Sequence, residues 1–406
     1  MRLETFGSMT LPQAGQGLTP SGIVLRGLAS EAQAVSQHTP QSSAQSAAKS
    51  AAQSVLEALG QADLAETVRF ESGRDQQGPW LRLWLDEASV QAWAPAHNTL
   101  LLCQNLQLDS VNQAADLVRE IVIALLMGPI AFEYPSLDEL LSAIRIRCNI
   151  VQAARKTTLD FKTEEAERPA DCWTYDEETG FTLLPGVNLI EALIKATQPE
   201  VSGRLYSFSC YRATEYVTLL GIAQELALSN PHAYEHLQMV WCQRAIMSEE
   251  FHEVFLREQG SLAHPLPPLF YVPGDRVWFR NPDEASADAT GFEGSWVMYL
   301  GAGLFTNFWQ ERQQYTLQEK CVEIYHWRHG LYRDAKGEAC IDEERIKPMV
   351  AATLADPGEL DQVMRLMTRY REPRGVYTEA GGCIDATREF ARWVRPGTAD
   401  MVLPEQ

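Results

Sequence analysis

The sequence predicts an α+β protein in which helices pack on an antiparallel sheet, and three stretches carry that expectation. Residues 213–228 hold Tyr216, Val217, Leu219, Leu220, Ile222 and Leu226 and no proline, the density of a helix buried on more than one side. Residues 296–309 read as a hairpin, Trp296 to Leu300 and Leu304 to Trp309 around a Gly301-Ala302-Gly303 turn. Pro79 to Leu85 alternates, with Leu81, Leu83 and Leu85 on one side of a strand.

The whole-chain numbers narrow the function classes. With 406 residues, two or three domains and a substantial core are expected, and 45% hydrophobic with 22% charged residues is an ordinary globular composition. A formal charge of −20 with no Lys/Arg-rich run argues against a nucleic-acid partner, because phosphate binding needs a basic face. Cys103, Cys148, Cys172, Cys210, Cys242, Cys321, Cys340 and Cys383 form no CxxC pair, which fits reduced thiols and implies neither a disulfide framework nor a metal site. No cofactor is expected. The apolar run Ile121 to Phe132 is broken by Gly128-Pro129 and is too short to span a bilayer. The first residues lack a basic region followed by an apolar core, so a cytoplasmic location, or export without a conventional signal peptide, is expected.

In chain order, residues 1–60 are rich in Ser, Ala, Gln and Gly and read as a low-complexity, disordered arm with one weak helix near 44–59; the alternative is an export signal, as in a secreted effector. Residues 61–160 read as a small α+β domain. Its strands are expected at 66–70, 79–85 and 99–103, and its helices at 111–127 and 137–156, each starting after an Asp or Ser cap. A polar linker follows at 157–171. The third unit, 172–406, carries the candidate chemistry. It is expected to run through helices at 213–228 and 231–258, a strand at 276–279 after Pro273-Gly274-Asp275, the hairpin, a strand at 321–327, and a helical C-terminal extension at 361–370 and 385–394.

Within that unit Cys210 stands where a small-residue loop turns into the apolar helix. Ser209 is a plausible N-cap, which makes Cys210 the first helical residue. Unsatisfied N–H groups and a positive partial charge at a helix N-terminus favour a thiolate. The plainer reading is a small hydrophobe that closes a core.

The matching residues downstream are Ala213-Thr214 on the helix, Gly274-Asp275, the run Phe279-Arg280-Asn281-Pro282-Asp283, and Phe292-Glu293-Gly294 leading into Trp296 to Leu300. This order resembles the papain-like core of NlpC/P60 cysteine hydrolases, and more closely the bacterial, spore-coat type of protein-glutamine gamma-glutamyltransferase. The resemblance spans about residues 205–310 and has departures. Alignment on Ala213-Thr214 places the family cysteine at Arg212, so Cys210 matches with two residues inserted. Alignment on Leu300 and Leu304 places the family histidine at Phe308, and the family glutamate falls at Ser295, two residues after Glu293.

What the resemblance implies is cysteine acyl transfer: a protein glutamine gives its γ-acyl group to a lysine or other primary amine, forming an isopeptide bond, or to water, which is deamidation. Protein substrates carrying glutamine and lysine are the implied partners. Such chemistry needs a thiolate, a proton-shuttling base and a group that orients it. Cys210 is the nucleophile in this reading. His326, on an expected strand after the hairpin, is the base, with His329 and His252 as alternatives. Glu293 orients the base or holds the attacking amine. The N–H groups of Cys210 and Tyr211 supply the oxyanion site. The aromatics Trp278, Phe279, Trp296, Tyr299, Phe305 and Trp309 form either a water-excluding wall or an ordinary sheet core. The competing classes are a catalytically inactive papain-like binding module and a cysteine hydrolase.

Overall fold

The computed structural model describes residues 19–27, 41–160, 166–309, 313–371 and 381–404. Helices and sheets are mixed, as composition and periodicity predict. The N-terminal sheet holds β1 (Ile23–Arg26), β2 (Val68–Asp75), β3 (Gly78–Leu85) and β4 (Phe132–Tyr134), in the order β2-β3-β1-β4. β1 corrects the expectation of an arm without structure over its residues. It pairs antiparallel with β3 and parallel with β4, and Ile23 and Leu25 are buried at 1% and 0% exposure. Two inward side chains in four residues are invisible to a compositional average, yet they complete a sheet whose other strands already exist. The helix Gln41–Ala58 follows, close to the expected weak helix, and residues 1–18 and 28–40 lie outside the described residues.

A ribbon of β5 (Trp173–Asp176) and β6 (Gly180–Leu183) precedes the second large sheet. That sheet contains β7 (Leu256–Gln259), β8 (Arg276–Arg280), β9 (Gly294–Gly301), β10 (Leu304–Phe305), β11 (Tyr315–Thr316) and, after the ribbon β12 (Leu331–Arg333) and β13 (Ala339–Ile341), β14 (Arg388–Ala391). Its order is β11-β10-β9-β8-β14-β7, antiparallel throughout. Strand alternation divides two cores. Met298 and Leu300 join the larger cluster with the helices Leu137–Lys156 and Cys210–Ser229, whereas Val277, Phe279, Val297 and Tyr299 join a second cluster with the helix Leu317–Gly330. The larger cluster runs from Ile23 to Leu403, so one packed interior crosses the expected boundaries at 60, 160 and 172.

Four local expectations are corrected. Residues 99–103 form a helical turn, Thr99–Leu101, and the start of a helix, Leu102–Leu106, because a short apolar run does not specify a period. The expected helix at 231–258 divides into Pro231–Gln243, Glu249–Phe255 and then β7, with Ser248 at φ +61° in the break. Residues 321–327 are not a strand but part of the helix Leu317–Gly330. Its start is a capping box in which the Thr316 side chain accepts from Glu319 N–H and the Glu319 side chain accepts from Thr316 N–H. Within 385–394 lies β14, whose pairing with β7 and β8 overrides any helical tendency.

Candidate active site

Ser209 caps the Cys210–Ser229 helix as expected: it is extended, at φ −83° and ψ 159°, and its hydroxyl accepts the Arg212 N–H at 3.3 Å. Cys210 is therefore the first helical residue, and it is half-buried. Behind it, the Phe208 ring lies 3.4 Å from the Arg168 guanidinium, whose Nη1 donates to Ser207 O at 3.1 Å. The loop that delivers the cysteine is thus clamped from outside the helix.

The first helical turn is tied to the sheet. Arg276 of β8 donates from Nε to Thr214 Oγ1 at 2.9 Å, and its guanidinium stacks 3.9 Å from the Trp296 ring and 4.6 Å from the Tyr211 ring. The same guanidinium pairs with Glu389 of β14, whose other oxygen meets His252 Nδ1 at 3.1 Å. Trp296 stacks on its cross-strand partner Trp278 at 5.7 Å with 10° between planes, and Arg371 lies 5.0 Å over Trp278. An aromatic and cationic platform therefore extends along the sheet beside Tyr211.

The electrostatics of the thiol differ from the sequence argument. The N–H groups of Trp296 and Tyr211 both favour the Cys210 thiolate, but burial outweighs them and pushes the thiol above its ordinary range. The helix terminus alone does not make this cysteine acidic. Two charges act on it in opposite senses: the Lys320 ammonium lowers the thiol pKa, and the Glu293 carboxylate raises it. Lys320, on the Leu317–Gly330 helix, is 5% exposed and donates to Glu323 Oε2 at 2.9 Å. Its Nζ sits 3.7 Å from the centre of the Tyr315 ring. Burial pulls its pKa down, but Glu323, Tyr315 and Cys210 together pull harder, and the net direction is up.

Glu293 is exposed, and its carboxylate is among the groups that raise the Cys210 thiol pKa. The motif upstream holds it there. Asn281 is fully buried and donates from Nδ2 to Ser286 Oγ and Phe292 O, both at 2.9 Å, while its N–H donates to Glu293 O at 3.0 Å. Asp283 caps the next helical turn through Ser286 N–H at 3.0 Å. Asp275 forms a buried ion pair with Arg147 at 2.7 Å and accepts Val272 N–H at 2.8 Å. The residues that carry the family resemblance are thus the scaffold of the β8 to β9 connection.

His326 is the nomination the structure corrects. It lies on a helix, and both ring nitrogens are engaged elsewhere, Nδ1 with His329 Nδ1 at 2.9 Å and Nε2 with Thr353 Oγ1 at 2.8 Å. Burial and the neighbouring His329 ring lower the His326 pKa, and burial and Arg328 lower that of His329. The helical period points them at the helix around Thr353 instead of the thiol. His252 faces Glu389. At the place aligned with the family histidine, Phe308 is 2% exposed and packs edge-on to Trp309. Of the six aromatics, Phe279, Tyr299 and Phe305 are fully buried core, and Trp278 and Trp296 form the platform. Sequence reasoning missed Lys320, which no motif marks.

A family model described as protein-glutamine gamma-glutamyltransferase matches residues 100–403. The protein-glutamine gamma-glutamyltransferase of Halalkalibacterium halodurans is 25% identical over 203 residues, covering 49% of this chain and 66% of that relative, just under two thirds of its length. The solved transglutaminase from Geobacillus stearothermophilus, without its C-terminal extension, is 22% identical, with 52% of this chain and 97% of that chain covered at a TM-score of 0.37. Matched by the family model over most of its length, this chain belongs to the protein-glutamine gamma-glutamyltransferase family.

Proposed function

We propose that the protein transfers the γ-acyl group of a protein-bound glutamine to a primary amine, with Cys210 as nucleophile in a papain-like arrangement of one helix N-terminus against an antiparallel sheet. The observation that carries this reading is the setting of Cys210: first residue of a buried helix, beneath the Trp296 N–H, with an ammonium and a carboxylate acting on the same sulfur. The thiolate attacks the carboxamide carbon, ammonia leaves and a thioester remains. The N–H groups of Cys210 and Tyr211 receive the oxyanion. Glu293, exposed and anionic, draws in the ammonium of the acceptor lysine, and the Trp278–Trp296 platform receives the glutamine-bearing segment. Attack by the amine gives an isopeptide bond, and attack by water gives deamidation.

Incubation of the protein with a glutamine-containing protein and a labelled primary amine tests the reading. Label incorporation is expected in the wild type and not in Cys210→Ala. Incorporation that survives the substitution removes Cys210 from the mechanism, whereas ammonia release without incorporation makes the protein a deamidase. Phe308 at the aligned histidine position favours a second reading, a protein-binding module without turnover, which predicts neither product.

A further inference from the structure

β2 is an open edge of the N-terminal sheet. In the order β2-β3-β1-β4 its one strand partner among the described residues is β3, paired without a break in register from Val68 to Asp75. An edge strand offers a row of backbone N–H and C=O groups to another chain, and natural edges are commonly short, covered, or marked by Pro, Lys or a bulge. The opposite edge follows that rule: β4 has three residues, and the Gln259 side chain ties the segment entering it, donating to Ile130 O and Ala131 O, both at 3.0 Å. β2 does not. It is eight residues long without proline or lysine, and a groove of about 700 Å³ lies along residues 68–72, flanked by Lys49 and Gln53 of the helix Gln41–Ala58.

The side chains of β2 specify what fits there. On the outer face the Arg69 and Glu71 side chains are 55% and 47% exposed, in ion pairs with Asp86 at 2.9 Å and Arg82 at 3.2 Å. On the inner face Phe70 is half-buried, opposite Leu83 of β3. Antiparallel pairing of two β2 strands about Phe70 sets Arg69 opposite the second copy's Glu71, Glu71 opposite its Arg69, Val68 opposite its Ser72, and ring against ring. Every charge keeps its present partner and gains one of opposite sign, so the signs alternate across the junction from Arg82 through Glu71 and the second copy's Arg69 to its Asp86. Pairing centred on Arg69 or on Glu71 instead sets like charges directly opposite each other.

We propose that β2 is a dimerisation edge: a second copy of this chain pairs with it antiparallel about a two-fold axis at Phe70, joining two four-stranded sheets into one continuous sheet. The contact is self-complementary and a two-fold closes on itself, so assembly stops at the dimer. The groups around Cys210 take no part, and the dimer is independent of acyl transfer.

Sedimentation velocity of the full chain over a series of protein concentrations tests the pairing. Wild type is expected to sediment as a dimer of 45.5 kDa chains. Arg69→Glu and Glu71→Arg each place like charges opposite one another at both symmetry-related positions, so each is expected to weaken self-association by about 10-fold or more. An equimolar mixture of the two variants is expected to restore the dimer, because the carboxylates of one then face the guanidinium groups of the other. Circular dichroism checks that each variant is folded. If a charge reversal does not fold, Arg69→Gln and Glu71→Gln replace the pair, each with an expected loss of about 3-fold. A monomeric wild type overturns the proposal, and so does a dimer that the substitutions leave unweakened or a mixture of the two reversals that stays monomeric.

Discussion

Replacing Arg276 with methionine removes one side chain that serves three elements. Arg276 is 2% exposed and its partner Glu389 is 13% exposed at the side chain, so their ion pair is out of water. Removing one member of a buried pair costs about 3–5 kcal/mol, because the other charge is left without its partner. His252 still donates to Glu389 at 3.1 Å, which places the loss toward the lower end of that range. The lost contacts with Trp296 and Tyr211 add about 0.5–2 kcal/mol. A total near 4 kcal/mol is expected, measured by urea unfolding at pH 7. The double variant with Glu389→Gln no longer strands a carboxylate, and the coupling between the two sites is expected at about 1–3 kcal/mol. A loss below about 1 kcal/mol for Arg276→Met, or strictly additive effects, would refute the view that this buried pair joins the cysteine helix to β8 and β14.

The remaining predictions concern pH and the turn after β9. Because burial holds the Cys210 thiol above its ordinary range, the acyl-transfer rate is expected to climb through the alkaline region; a plateau already reached at pH 7 would contradict that environment. His252 is raised by its hydrogen bond to Glu389, against the opposing effect of burial. Its folded pKa is above the unfolded value of about 6.5, so its stabilisation is complete below that pH and is lost as pH rises through the folded value. Unfolding free energies of His252→Gln at pH 5.5 and 8.5 should therefore differ less than those of wild type. Gly301 sits at φ +82°, and an added Cβ would lie 2.5 Å from Glu120 Oε2. That carboxylate accepts from Cys103, Tyr299 and Ala302, so Gly301→Ala is expected to cost about 2–4 kcal/mol from left-handed strain and a displaced buried acceptor. A melting temperature equal to wild type would show that the turn relaxes without cost.

Much of the second sheet and its cysteine helix was legible because the signals are local. Ser209 before an unbroken apolar run marks a helix start, Gly274-Asp275 marks entry to β8, and Gly301-Ala302-Gly303 marks the turn between β9 and β10. The helix Leu317–Gly330 was also marked, by Thr316 and Glu319, but Val322, Ile324 and His326 alternate like a strand; the capping box was the better guide. β1 was hidden because four residues in a Ser- and Gln-rich region become a strand only when β3 and β4 are there to pair with them.

The sequence by itself determined that Cys210 begins a capped, buried helix, since caps and apolar runs are properties of neighbouring residues, whereas the return of the Asn281-Pro282-Asp283 and Glu293-Gly294 segments toward it was implied only by the family resemblance. Only the tertiary structure decided which groups meet the sulfur. His326 is turned toward Thr353 by the period of its helix, whereas Lys320, six residues earlier on the same helix, acts on the thiol. The thiol's proton affinity was likewise decided by packing. A helix N-terminus favours the thiolate in any fold, but the desolvation that outweighs it depends on how Trp296 and the elements around it close over the sulfur.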